Sequence, residues 1–122
     1  MTDPQYSVLG PATEIPPGET RDFQVGDRSI LVANCDGAFL AIEDRCTHDD
    51  GPLAEGRLVE CQIECPRHGA KFDMKTGRAT VLPAVRPVAS YPCRVNEAGE
   101  IEVDLSLARP PSRFGNRPRP SR

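Results

Sequence analysis

Histidine is nearly missing from this chain: two copies in 122 residues, beside no tryptophan, two methionines and an aromatic content of 5%. General acid–base catalysis of the Ser-His-Asp kind has almost nothing to draw on unless one of those two rings is free. Long apolar runs are lacking too. Nothing approaches the roughly 20 apolar residues of a membrane span, and the start, Met1-Thr-Asp-Pro-Gln-Tyr6, has neither the positive region nor the apolar stretch of a signal peptide. A soluble cytoplasmic protein is therefore expected. Thiols stay reduced in that compartment, so five cysteines, an odd count, read as ligands plus buried thiols rather than as a disulfide framework. No segment sustains a helical period, and no internal repeat is evident.

Punctuation is what the chain has in quantity. Ten glycines and thirteen prolines favour short strands and loops over long helices. Strand signals recur at residues 5–9, 21–25, 29–34, 38–43, 57–60, 62–65, 70–73, 88–95 and 100–105, each short and turn-bounded. Two hairpins stand out: 29–34 with 38–43 across Cys35-Asp36-Gly37, and 91–95 with 101–105 across Asn96-Glu-Ala-Gly99. Glycine takes positive φ at no steric cost, which suits both turns. In the last strand Ile101, Val103 and Leu105 alternate with Glu100, Glu102 and Asp104, the pattern of one buried and one wet face. An all-β domain, an antiparallel sandwich or barrel, is the simplest assembly of these pieces.

The formal charge of −3 conceals a division. All 18 acidic residues lie in residues 1–108, whereas residues 109–122 carry five arginines and no acid. We read residues 1–108 as one domain and residues 109–122, rich in proline and arginine and almost without apolar side chains, as a disordered basic tail. A solvated appendage is the favoured reading of that tail. Docking on nucleic acid has no aromatic interleaving or basic fold behind it.

Both histidines fall in matched pairs with a cysteine: Cys46-Thr47-His48, then sixteen residues, then Cys65-Pro66-Arg67-His68. Two thiolates and two imidazoles on two loops make a four-ligand metal set suited to zinc or iron. A Cys2His2 zinc finger offers both cysteines first and both histidines from a helix. Here each loop supplies one of each, a split that suits two different irons.

These two boxes, Cys46-Thr-His48 and Cys65-Pro-Arg-His68-Gly69, resemble the cluster-binding boxes of Rieske 2Fe-2S proteins, and the likeness continues through Gly51-Pro52-Leu53, Ala70-Lys-Phe-Asp73, Thr76-Gly77, Leu82-Pro-Ala84 and Tyr91-Pro92. The resemblance implies one 2Fe-2S cluster per chain, with Cys46 and Cys65 on one iron and His48 and His68 on the other. It also implies a one-electron carrier that is not itself an enzyme. High-potential members of the family join two further cysteines as a disulfide clamping the loops; those positions are Gly51 and Arg67 here. Such members also place a serine and a tyrosine where this chain has Ala70 and Phe72. Without those hydroxyl donors the reduced state is less stabilised, and a potential near the lower end of the family range of about −150 to +300 mV is expected. The chain is thus similar to the low-potential Rieske-type ferredoxins that serve non-haem iron oxygenases. Its partners would be a ferredoxin reductase and an oxygenase, met in transient complexes by a monomer without membrane association.

A narrower likeness, through Glu60-Cys61-Gln-Ile-Glu-Cys65 and Leu82-Pro-Ala-Val-Arg-Pro87, is to Rieske ferredoxins encoded beside iron–sulfur assembly genes, which makes an assembly accessory the second reading. A zinc-held binding module is the third. Cys35, Cys61 and Cys93 read as small buried apolar residues; a Cys35–Cys93 oxidation has no support. Asp49 and Asp50 suit either partner steering or simple solvation, and Thr80 to Pro87 reads as a loop over the cluster.

Overall fold

Two-residue reversals decide where this chain turns back. In the computed structural model, which describes residues 6–46, 51–82, 84 and 86–107, the elements are antiparallel strands and two single 3-10 turns, with no α-helix among the described residues. The strands are β1 (Ser7–Pro11), β2 (Thr20–Val25), β3 (Arg28–Cys35), β4 (Ala38–Glu43), β5 (Arg57–Val59), β6 (Gln62–Glu64), β7 (Lys71–Asp73), β8 (Ala79–Val81), β9 (Ser90–Tyr91), β10 (Cys93–Val95) and β11 (Glu100–Val103). Asp36 and Gly37, with φ of 54° and 95°, close β3 onto β4 with Cys35 opposite Ala38, the conformation that matches strand twist across a two-residue loop. No described helix is long and apolar enough to cross a membrane.

The strands form three sheets, ordered β1-β11-β10, β2-β3-β4-β9 and β5-β6-β7-β8. The middle sheet is buried on both faces, which is why β3 reads as an unbroken apolar run, Ile30-Leu-Val-Ala33. Its period of two separates two cores. Ile30 and Val32 join Ile15, Ala41, Ile101 and Val103, whereas Leu31 and Ala33 join Ile42, Cys46, Ile63, Cys65 and Phe72. One core thus belongs to the sheet of the chain's first and last strands, the other to the sheet of the second Cys-His box.

The expected all-β architecture holds, with three adjustments. Residues 88–95 are two strands rather than one: β9 pairs with β4, and β10 pairs with β11. The break is Pro92, which has no N–H to give either ladder and whose carbonyl accepts the N–H of Asp104 at 3.0 Å. Thr80 and Val81, read as the start of a loop, form with Ala79 the fourth strand of the third sheet.

Most instructive is β11. Glu102 and Asp104 were expected on a wet face, but they are 1% and 0% exposed, because neighbouring side chains and the turn after β11 fold over them. Glu102 accepts hydrogen bonds from Arg94 Nε at 2.6 Å and Asn96 Nδ2 at 3.1 Å, and the Arg94 guanidinium stacks on the Tyr6 ring, 3.7 Å from its centre. Asp104 Oδ1 accepts from the backbone N–H of Ser106 at 2.9 Å and from its hydroxyl at 2.6 Å.

The cysteines also depart from expectation. Cys35 and Cys61 are joined by a disulfide, with Cα atoms 5.6 Å apart, whereas Cys93 is not in that bond and burial pushes its thiol pKa up to about 12. Nothing in the sequence pattern brings the β3–β4 hairpin end to the β5–β6 turn; only the stacking of the second sheet on the third does so. The expected tail, residues 109–122, lies outside the described residues, as does residue 108.

Arg94 holds the Glu102 carboxyl below its ordinary pKa, against the burial that raises it, with Asn96 helping. A carboxyl whose folded pKa is depressed adds stability above its unfolded pKa of about 4.3, and that stability is lost as pH falls through the folded value. Glu102→Gln should therefore lower the urea midpoint at neutral pH. The gap from wild type should narrow below about pH 4.3 and close once Glu102 is protonated in both states. A gap independent of pH would assign Glu102 a role in packing alone.

Candidate metal centre

The cysteine of each Cys-His box is tied by a backbone hydrogen bond to a residue five further along the chain. Cys46 lies three residues past the end of β4, and its N–H donates to the carbonyl of Gly51 at 2.8 Å. Asp44 pins the exit of the same loop, its Oδ1 accepting the N–H groups of Leu53 at 2.7 Å and Ala54 at 3.0 Å. Burial raises the Asp44 pKa, and those two N–H donors draw it back. On the other loop Cys65 follows β6 directly. Its N–H donates to the carbonyl of Ala70 at 2.7 Å and its carbonyl accepts the N–H of Gly69 at 2.9 Å, a tight reversal that requires the positive φ of 77° at Gly69.

The two box cysteines are inside and the imidazole of His68 is outside. Cys46 and Cys65 are 0% and 1% exposed and belong to one apolar cluster with Leu53, Ala70, Phe72 and Ala84. His68 is exposed on the turn that follows Cys65. His48, Asp49 and Asp50 lie outside the described residues, and among the described ones no group of three or more His, Cys, Asp or Glu side chains converges as a metal site by itself. A pair of buried thiols beside an exposed imidazole, with a second imidazole two residues from Cys46 in sequence, fits a mixed sulfur and nitrogen centre at the protein surface.

The surrounding side chains carry further information. The Arg67 guanidinium packs over Gly51: a Cβ at Gly51 would lie 2.6 Å from Arg67 Cζ. The two positions that hold the clamp disulfide in high-potential Rieske proteins are thus in contact here, through an arginine over a glycine. Ala70 and Phe72, which stand where those proteins carry hydroxyl donors, are both 0% exposed. Beyond β8, Ala84 enters the cysteine cluster, and in β8 Thr80 Oγ1 donates to Gln62 Oε1 at 2.7 Å, fastening that strand to β6.

Residues 5–92 match the model of the Rieske [2Fe-2S] domain. The chain belongs to that family. It is a Rieske protein with one 2Fe-2S cluster per chain, and the zinc reading gives way. It is 42% identical over 103 residues to the 3-phenylpropionate/cinnamic acid dioxygenase ferredoxin subunits of Escherichia coli strain K12 and of Shigella flexneri, across 82% of this chain and 93% of each relative. In three dimensions it resembles a chain in the complex of reduced oxygenase and oxidized ferredoxin of carbazole 1,9a-dioxygenase, with a TM-score of 0.77 and 33% identity over 84% of this chain and 94% of that one. It also resembles the carbazole 1,9a-dioxygenase ferredoxin of Nocardioides aromaticivorans IC177, with a TM-score of 0.76 and 29% identity over 88% and 98%. This Rieske chain is an electron-transfer protein of the oxygenase-ferredoxin type and is not itself catalytic.

Two residues that shape the site escaped the sequence reading. Asp44 is a carboxylate next to a loop whose N–H groups need acceptors, a signal that was present but shared with the neighbouring Asp49 and Asp50. Gly56 shows its necessity only in three dimensions, since a Cβ there would fall 1.8 Å from the carbonyl oxygen of Glu64, the residue before Cys65. Asp44→Ala should cost about 1–3 kcal/mol by stranding two N–H groups, whereas Asp44→Asn, which keeps an acceptor, should cost less. Gly56→Ala should cost about 3 kcal/mol by forcing β5 from β6. Denaturant unfolding of the three variants checks the order.

Proposed function

We propose that Cys46 and Cys65 hold one iron and His48 and His68 the other, and that the chain carries single electrons from a ferredoxin reductase to a terminal non-haem iron oxygenase. The observation behind this is the division of the site: two buried cysteines in one apolar cluster and His68 on the exposed tip beside them. The bound cluster supplies one reversible electron. An oxidised core of charge +2 with two thiolates and two neutral imidazoles sums to zero, so Leu53, Phe72 and Ala84 can exclude water around it at small desolvation cost. His68 offers the short exit route for the electron, because its ring lies at the surface where a partner docks.

Ala70 and Phe72 have no hydroxyl to donate, which supports a potential in the lower part of the family range. The acidic body suits a basic partner surface, met in transient complexes by a cytoplasmic monomer. The domain is proposed to end near residue 108, with residues 109–122 an appendage that electron transfer does not need. The names of the relatives at 42% identity support an oxygenase acceptor over an iron–sulfur assembly partner. Co-purification with assembly scaffolds would reverse that preference.

The test is an EPR spectrum of the dithionite-reduced protein with iron and sulfide counts. Two irons and two sulfides per chain with a histidine-ligated signal are expected, and zinc without acid-labile sulfide would overturn the assignment. His68→Cys should retain a cluster and slow transfer to the oxygenase; an unchanged rate would rule out the His68 exit.

A further inference from the structure

We propose that Cys35 and Cys61 form a reversible thiol–disulfide site whose closure holds the cluster-bearing sheet against the central one. Cys35 is the last residue of β3 and Cys61 sits in the β5–β6 turn, so the bond joins two sheets that share no strand ladder. Their Cα separation of 5.6 Å falls in the range of unstrained disulfides.

The position of the bond relates it to both boxes. The 26-residue separation from Cys35 to Cys61 encloses the whole first box, Cys46-Thr47-His48, and Cys65 follows only four residues beyond Cys61. The link thus narrows the freedom of the same stretch of chain that must deliver the ligands. The turn it anchors is an uneasy one. Glu60 and Cys61 have φ of 52° and 62°, left-handed values that residues with a Cβ enter at a cost. The disulfide and a hydrogen bond from the Met74 N–H to the Cys61 carbonyl, 3.0 Å, hold the turn there. Opening the bond leaves the turn free to relax, and β6, which leads straight to Cys65, starts at the next residue.

Access separates this pair from the other cysteines. Cys46 and Cys65 are buried, and burial pushes the Cys93 pKa to about 12, far from the thiolate that exchange requires. Cys35 and Cys61 are half-buried and line an open cleft of about 340 Å³ together with Gly18, Asp36, Leu58 and Glu60. A dithiol reductant reaches the bond from that side. One of its thiolates attacks a sulfur of the pair to give a mixed disulfide and release one protein thiolate; its second thiolate then displaces the other protein sulfur. Two electrons and two protons pass from the dithiol to the chain, which gains two thiols as the dithiol becomes a disulfide. Oxidation by a disulfide of the same class runs the reverse. In a reducing compartment such a bond is open at low oxidative load and closes as load rises.

The stabilising role rests on the cluster reading above, whereas the exchange chemistry does not. The holoprotein is prepared in air and again after anaerobic dithiothreitol, then denatured, alkylated and weighed intact. Three alkylated cysteines are expected in the first sample and five in the second, from a chain with five cysteines and one disulfide. Chelator-driven bleaching of the cluster should quicken about three- to tenfold on opening and slow again on reoxidation. Cys35→Ser and Cys61→Gly should each bleach at the fast rate with no response to dithiol, the glycine also relieving the left-handed turn, whereas Cys93→Ser should keep the response. Five alkylated cysteines in the air sample, or bleaching at one rate in both samples, would overturn the proposal. A chain that bound no cluster would sink the preceding assignment alone; the mass and a fall in Tm of about 10 °C on opening would still decide this one.

Discussion

The double burial of β3 is the constraint from which the rest of the molecule follows. Because Ile30 and Val32 face one core and Leu31 and Ala33 the other, the middle sheet cannot stand at a surface, and each flanking sheet exists to cover one of its faces. The cover on one side is the sheet whose β6 ends at Cys65. The cover on the other is built from the chain's two ends. A buried thiol pair is then a by-product of ordinary hydrophobic packing: Cys46 and Cys65 occupy positions that a valine or alanine would fill in a protein without a cofactor. What makes them a site is that the loops carrying them run on, within three residues, to histidines.

That arrangement divides labour between precision and exposure. The cysteine side is held by Cys46 N–H to Gly51, Cys65 N–H to Ala70 and the Asp44 carboxylate across the loop exit, bonds that fix where the two thiols stand. His68 lies on the exposed side. An electron carrier needs both properties at once, since low reorganisation calls for a rigid dry interior and fast exchange calls for an edge within reach of a partner.

The architecture and the cluster family were legible in the sequence for different reasons. Strand positions followed from period-two patterns and from turns such as Asp36-Gly37, where conformational preference is local and strong. The family was legible because both histidines of the chain occur within three residues of a cysteine, inside the stretch that matches the Rieske domain. What escaped depended on non-local neighbours. Glu102 and Asp104 looked wet because alternation says nothing about what folds over a strand's outer face: Arg94 and Asn96 pair Glu102, while Ser106 pairs Asp104 Oδ1 and leaves Oδ2 buried without a hydrogen-bond partner among the described residues. Pro92 split an apparently continuous strand because its missing N–H matters only when two different sheets compete for the same stretch. The Cys35–Cys61 pairing required knowing that two turns from separate sheets meet, which no spacing encodes.

The pairing of β1 with β11, Ser7 opposite Val103, sets the first and last strands side by side on the face of the central sheet that looks away from the cysteines. The strands nearest the two ends of the chain therefore brace each other on the core that holds neither Cys46 nor Cys65, so a change in their pairing reaches the cysteine core only through the central sheet.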